Sequence, residues 1–143
     1  MISIEKIRTS IKDLFVSDEN VALAFVFGSI ATGKMHPDSD IDVAVLLSSC
    51  RDRHKCAEIS LSLSEQLAKM LGTDKVDLVI LNTANPLLMF EVATKGVLVY
   101  ERQAGLADDF KLKAVKMRMD AKKFFQLDKL AIKKFLSEMK PGA

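Results

Sequence analysis

Two spacings of apolar residues divide this chain. Strand-length runs of nearly unbroken apolar side chains occur at Val21–Phe27, Ile41–Leu47, 75–81 and Val97–Glu101. Runs of this kind suit strands covered on both faces. Around them, apolar residues recur every three or four positions, the period of a helix with one buried side. Ile4, Ile7, Ile11, Leu14 and Phe15 mark a helix over 3–15, with Ser3 as its cap. Cys56, Ile59, Leu63, Leu67, Met70 and Leu71 mark a second, opened by Asp52 and stopped by Gly72. Asn85-Pro86 opens a short third helix that ends near Lys95, with Gly96 just past it. From about 109 to 139 the chain is helical again. Leu112, Val115, Met119, Phe124, Leu127, Leu130 and Phe135 form a ragged stripe there, with a break expected near Leu127-Asp128.

This order predicts an α/β fold, a mixed sheet of about four strands flanked by helices, with a helical C-terminus. The loop between the first two runs is short, so those strands are expected to be antiparallel neighbours. A whole helix separates the second run from the third, which suits a parallel crossover. Parallel strands start at the same sheet edge. Asp77, near the start of the third run, is therefore expected beside Asp40 and Asp42 at the mouth of the second. Residues two apart on a strand share a face, so Asp40 and Asp42 point together while Ile41 and Val43 turn into the core.

Composition narrows the class without naming a chemistry. At 143 residues the chain is expected to form one domain over 1–143, with a core at about 21–101 and a helical extension at about 105–140. The apolar fraction of 49% and charged fraction of 28% are those of an ordinary globular protein. A net charge of +2 is too small to point to nucleic acid by itself, and direct nucleic-acid binding is not expected. Only Cys50 and Cys56 carry thiols. No signal peptide precedes them, so free thiols and a cytoplasmic location are expected. No apolar run approaches the ~20 residues that span a bilayer, and no membrane association is expected.

Chemistry concentrates between residues 28 and 42. Two neighbouring carboxylates repel unless a positive group lies between them. Hard divalent ions bind carboxylate oxygens, and Mg²⁺ is commonly held by one or two carboxylates together with substrate phosphates. Asp40, Asp42 and Asp77, gathered next to the Gly28-Ser29 turn, therefore point to a metal-dependent site for a nucleoside triphosphate. Taken singly, each has a structural explanation: an Asx turn, a turn glycine, a surface ion pair with Lys75. Gly28 to Lys34 also matches the phosphate-loop pattern G-x-x-x-x-G-K. That match fails at Met35, where Ser or Thr should hold Mg²⁺, and at Pro37, which interrupts the helix that should follow. Cys50, His54 and Cys56 supply three groups at a spacing unlike that of zinc sites. His36 reads as a surface residue and Tyr100 as packing. The lysines of the last helix read as a solvated face, the other reading being a docking surface for an acidic partner or an RNA.

Gly28-Ser29, ten residues, then Asp40-Ile41-Asp42 resembles the signature of the polymerase beta-like nucleotidyltransferase superfamily. The small size resembles its minimal nucleotidyltransferases, and the pattern that of their MntA-type antitoxins. The resemblance covers about 21–101. It implies that Gly28 and Ser29 hold the triphosphate, with Lys34 adding charge near the phosphates. It implies that Asp40, Asp42 and Asp77 bind Mg²⁺, two ions in all, and that Asp77 takes the proton from the attacking hydroxyl. It further implies transfer of AMP from ATP to a hydroxyl, a tyrosine's, on a HEPN-domain toxin encoded nearby. Two other readings stay open: an antitoxin that neutralises by binding alone, and a transferase acting on a small molecule.

Overall fold

The computed structural model describes residues 3–33, 39–50 and 52–138. Four helices and four strands follow in the order α1 (Ile4–Phe15), β1 (Val21–Phe27), β2 (Ile41–Leu47), α2 (Arg53–Leu71), β3 (Val76–Ile80), α3 (Pro86–Lys95), β4 (Val97–Glu101) and α4 (Leu106–Glu138). A single 3-10 turn, Leu81–Thr83, leaves β3 and removes Leu81 from the strand expected to contain it. The anticipated caps are in place. Ser3 accepts from the Lys6 amide, Asp52 from Lys55 and Asn85 from Leu88. Gly72 ends α2 in the left-handed region at φ 69°.

The sheet runs β3-β2-β1-β4. β1 is antiparallel to both β2 and β4, and β2 is parallel to β3, with α2 as the crossover. Helices cover both faces. Ile7, Ile11 and Phe15 of α1 and Leu63, Leu67 and Leu71 of α2 pack with Ala24, Val26, Val43 and Val45 on one side. Met89 and Val92 of α3 and Ala107, Phe110 and Ala114 of α4 pack with Leu23, Phe25 and Ala44 on the other. β1 throughout, and β2 apart from Asp42 near its start, are apolar because both their faces are covered.

Three expectations change. Cys50 and Cys56 are bonded as a disulfide, their Cα atoms 5.7 Å apart, rather than standing as free thiols; a cysteine six residues back along a turn and first helical coil can reach its partner. Met70 is 40% exposed, because the buried stripe of α2 is completed by Leu63, Leu67 and Leu71 without it. α4 is one continuous helix from 106 to 138, without a break at Leu127-Asp128. The ragged apolar stripe along it faces out at Leu112, Val115, Met119 and Leu130, while Ala107, Phe110 and Ala114 make the inward face. That inward face packs chiefly on α3, with Phe110 reaching Phe25 of β1.

Candidate functional site

The end of β1, the start of β2 and the start of β3 meet at one edge of the sheet. Antiparallel pairing sets Phe27 opposite Asp42, and parallel pairing sets Asp42 opposite Asp77. Asp42 shares its face with Ala44, while Ile41 and Val43 are buried on the opposite one. Asp40 stands exposed two residues before Asp42, and Asp77 is exposed beside it.

Asp42 is the central member. Its carboxyl is pushed above the ordinary value of 3.8, first by burial, then by the charge of Asp77, then by that of Asp40. Both carboxylates therefore act on it as neighbours. Among the described residues, no three His, Cys, Asp or Glu side chains already close around a common point for a metal. The three acids line the rim rather than converge. Their donor set is nonetheless all carboxylate oxygen, the set a hard divalent cation requires, and the repulsion on Asp42 is what such an ion would relieve.

Gly28 lies directly against this carboxylate. At φ 74° it occupies the left-handed region, and a Cβ built there would collide with Asp42 Oδ2. Any larger residue would strain the backbone and have to displace the Asp42 carboxylate from its place. The turn that follows folds back on itself: the Ala31 and Thr32 amides both bond Gly28 O at 3.2 Å. Ile30 is buried in the core and pins the turn to the sheet. Thr32 Oγ1 donates to Gly28 O and to Ser29 O, each at 3.3 Å. Sequence reasoning passed over Thr32. A threonine three and four residues after the Gly-Ser pair, able to bond back to a carbonyl, was the available signal.

Of the site residues expected from sequence, Gly28, Ser29, Asp40, Asp42 and Asp77 are thus brought to one edge. Lys34, His36 and Pro37 lie outside the described residues. Tyr100 is structural as expected: its ring meets Phe15 edge-on at 5.7 Å and its hydroxyl donates to Phe15 O at 3.2 Å.

Comparison with known proteins gives a consistent set. A family model described as polymerase beta, nucleotidyltransferase matches residues 9–105. Over 94 residues the chain is 38% identical to the protein adenylyltransferase MntA of Shewanella oneidensis. That match takes in 66% of this chain and 61% of the length of the Shewanella protein. A solved toxin–antitoxin structure with AMP-PNP superposes at a TM-score of 0.68 and 27% identity, over 91% of this chain and 98% of that one. A structure of tri-AMPylated Shewanella oneidensis HEPN toxin in complex with MNT antitoxin superposes at 0.63 and 25% identity, over 94% of this chain and 98% of that one.

Proposed function

We propose, for a chain that belongs to the polymerase beta nucleotidyltransferase family, that it transfers AMP from ATP to a tyrosine hydroxyl of a HEPN-domain toxin and so acts as that toxin's antitoxin. The observation that carries this reading is the contact of Gly28 with Asp42, with Asp77 opposite and Asp40 adjacent. A turn suited to phosphate and a row of carboxylates suited to a cation share one edge. The likeness to MntA and to the two toxin–antitoxin structures supports the choice of acceptor.

In this reading Asp40, Asp42 and Asp77 would hold Mg²⁺. When bound, the ion supplies charge neutralisation for the phosphates and relieves the repulsion among the three acids. The Ser29 amide and hydroxyl hold the triphosphate tail, and Lys34 is assigned on sequence grounds to the same phosphates. The exposed Asp77 carboxylate takes the proton from the attacking tyrosine, whose oxygen bonds the α-phosphorus as the bond to the β-phosphate breaks and pyrophosphate leaves. Little covalent chemistry falls to the protein; positioning and electrostatics carry most of the rate, as in other phosphoryl transfers.

The test is to incubate the protein with ATP labelled at the α-phosphate, Mg²⁺ and the HEPN-domain protein encoded beside it. Label is expected on the partner's tyrosine. It should be lost with a chelator and reduced at least a hundredfold in Asp42→Ala. An absence of transfer, together with full neutralisation of the toxin by an Asp40→Ala/Asp42→Ala variant, would replace this reading with neutralisation by binding.

A further inference from the structure

Helix α4 has two apolar faces, and the fold covers one. Ala107, Phe110 and Ala114 are buried against α3 and the sheet. At about 100° per residue, Leu112, Val115, Met119 and Leu130 fall on the opposite side. These four are 72%, 37%, 56% and 62% exposed. Leu112, Val115 and Met119 sit together over about two turns, and Leu130 lies on the same side roughly 17 Å further along the axis, past Lys122 and Lys123. Exposed apolar residues scattered singly need no explanation, but an aligned row of large ones marks an interaction surface. The same wheel places Lys111, Lys122 and Lys133 along one border of the stripe and Lys116, Lys123 and Lys134 along the other. All but the half-buried Lys111 are exposed.

The comparisons isolate this helix. The family match ends at residue 105, just before α4 begins. The likeness to the toxin–antitoxin structure with AMP-PNP leaves out only about 13 of 143 residues, so it takes in more than half of the 33-residue helix. α4 is therefore an addition to the general nucleotidyltransferase domain that those assemblies also carry.

We propose that the Leu112–Leu130 stripe docks the acceptor protein, through an amphipathic helix of that protein whose apolar side is bordered by Asp and Glu. The identity of the partner rests on the transferase reading. Charge complementarity selects the occupant. Lysine rows on both borders favour carboxylates opposite them, as flanking charges do in paired helices. A second copy of the chain would set lysine rows against lysine rows. An RNA would engage the lysines and leave Leu112 and Met119 without a partner. A helix laid along the stripe satisfies both the apolar row and its charged borders.

The experiment measures binding of the neighbouring HEPN-domain protein to the full chain by titration calorimetry, alongside label transfer. Leu112→Glu with Met119→Glu is expected to weaken binding at least tenfold, and Lys122→Glu with Lys123→Glu several-fold. Helical circular dichroism and the Mg·ATP thermal shift should stay at the wild-type values in both. Unchanged affinity in the first variant overturns the proposal, and transfer by the wild type would then stand alone. Binding that the first variant abolishes, with a wild type that binds but does not label, supports the docking face and removes the transferase reading. Absence of wild-type binding, self-association that the first variant abolishes, or capture of RNA in place of the protein each overturns it.

Discussion

Asp42 is where the energetics of the site are most exposed. Burial and two neighbouring acids raise its folded-state pKa above the unfolded value. In the interval between the two, the folded protein binds more protons than the unfolded chain, so stability falls as pH rises. The contribution is fully present below the ordinary value of 3.8 and is lost as pH passes through the raised folded value. Asp42→Asn removes the charge while keeping the shape. Its melting temperature should match the wild type near the acid end and exceed it increasingly toward neutral pH. Thermal melts across pH check this, and a constant offset between the two proteins would contradict it. The same substitution should remove the Mg²⁺-dependent part of nucleotide binding, a gain in stability at the expense of function. Gly28 belongs to this account, because the left-handed backbone and the carboxylate beside it disfavour any side chain.

At the scale of elements, the far end of β2 is held by a side chain in place of a strand. Asn82, in the 3-10 turn, accepts from the Leu47 amide at 2.8 Å and donates to Leu47 O at 3.1 Å. It extends the β2–β3 ladder past the point where the β3 backbone turns away. Asn82→Ala would leave both groups of Leu47 without these partners in a part-buried position. The expected loss is about 1–3 kcal/mol, seen as a lower urea midpoint with an unchanged slope. Arg102 does comparable work at the base of β1, donating from Nε to Val21 O at 2.8 Å and also bonding Asp18 O. These two contacts were not legible in sequence, because each side chain bonds a backbone atom 35 and 81 residues away.

For the molecule as a whole, the sheet order makes the site. β2 sits between β1 and β3, so its first residues have the Gly-Ser turn on one side and Asp77 on the other. In the proposed reading, nucleotide at that edge would meet all three strands and stabilise the native state alone. With Mg·ATP at a hundred times its dissociation constant, the expected gain is about 2.7 kcal/mol. Differential scanning calorimetry should show the rise with Mg²⁺ and lose most of it when the metal is chelated. Equal shifts with and without Mg²⁺ would contradict the assignment of the three acids. Among the described residues no helix is long and apolar enough to cross a membrane, which agrees with the charged character of α4.

Sequence alone determined what depends on local period and local chemistry. The strands Val21–Phe27, Ile41–Leu47 and Val97–Glu101, the caps at Ser3, Asp52 and Asn85, and the left-handed stop at Gly72 all follow from short-range rules that the chain satisfies independently of its neighbours. The placement of Asp77 opposite Asp42 was also legible, since a helix between two apolar runs favours a parallel pair and so a shared edge. Tertiary structure decided the rest. Which side of α4 is buried depended on its packing against α3, which puts Ala107, Phe110 and Ala114 inward and which the ragged apolar period of the helix does not specify. The pairing of Cys50 with Cys56 depended on how the chain enters α2. The raised pKa of Asp42 depended on how much water the assembled edge excludes, which the order of residues does not state.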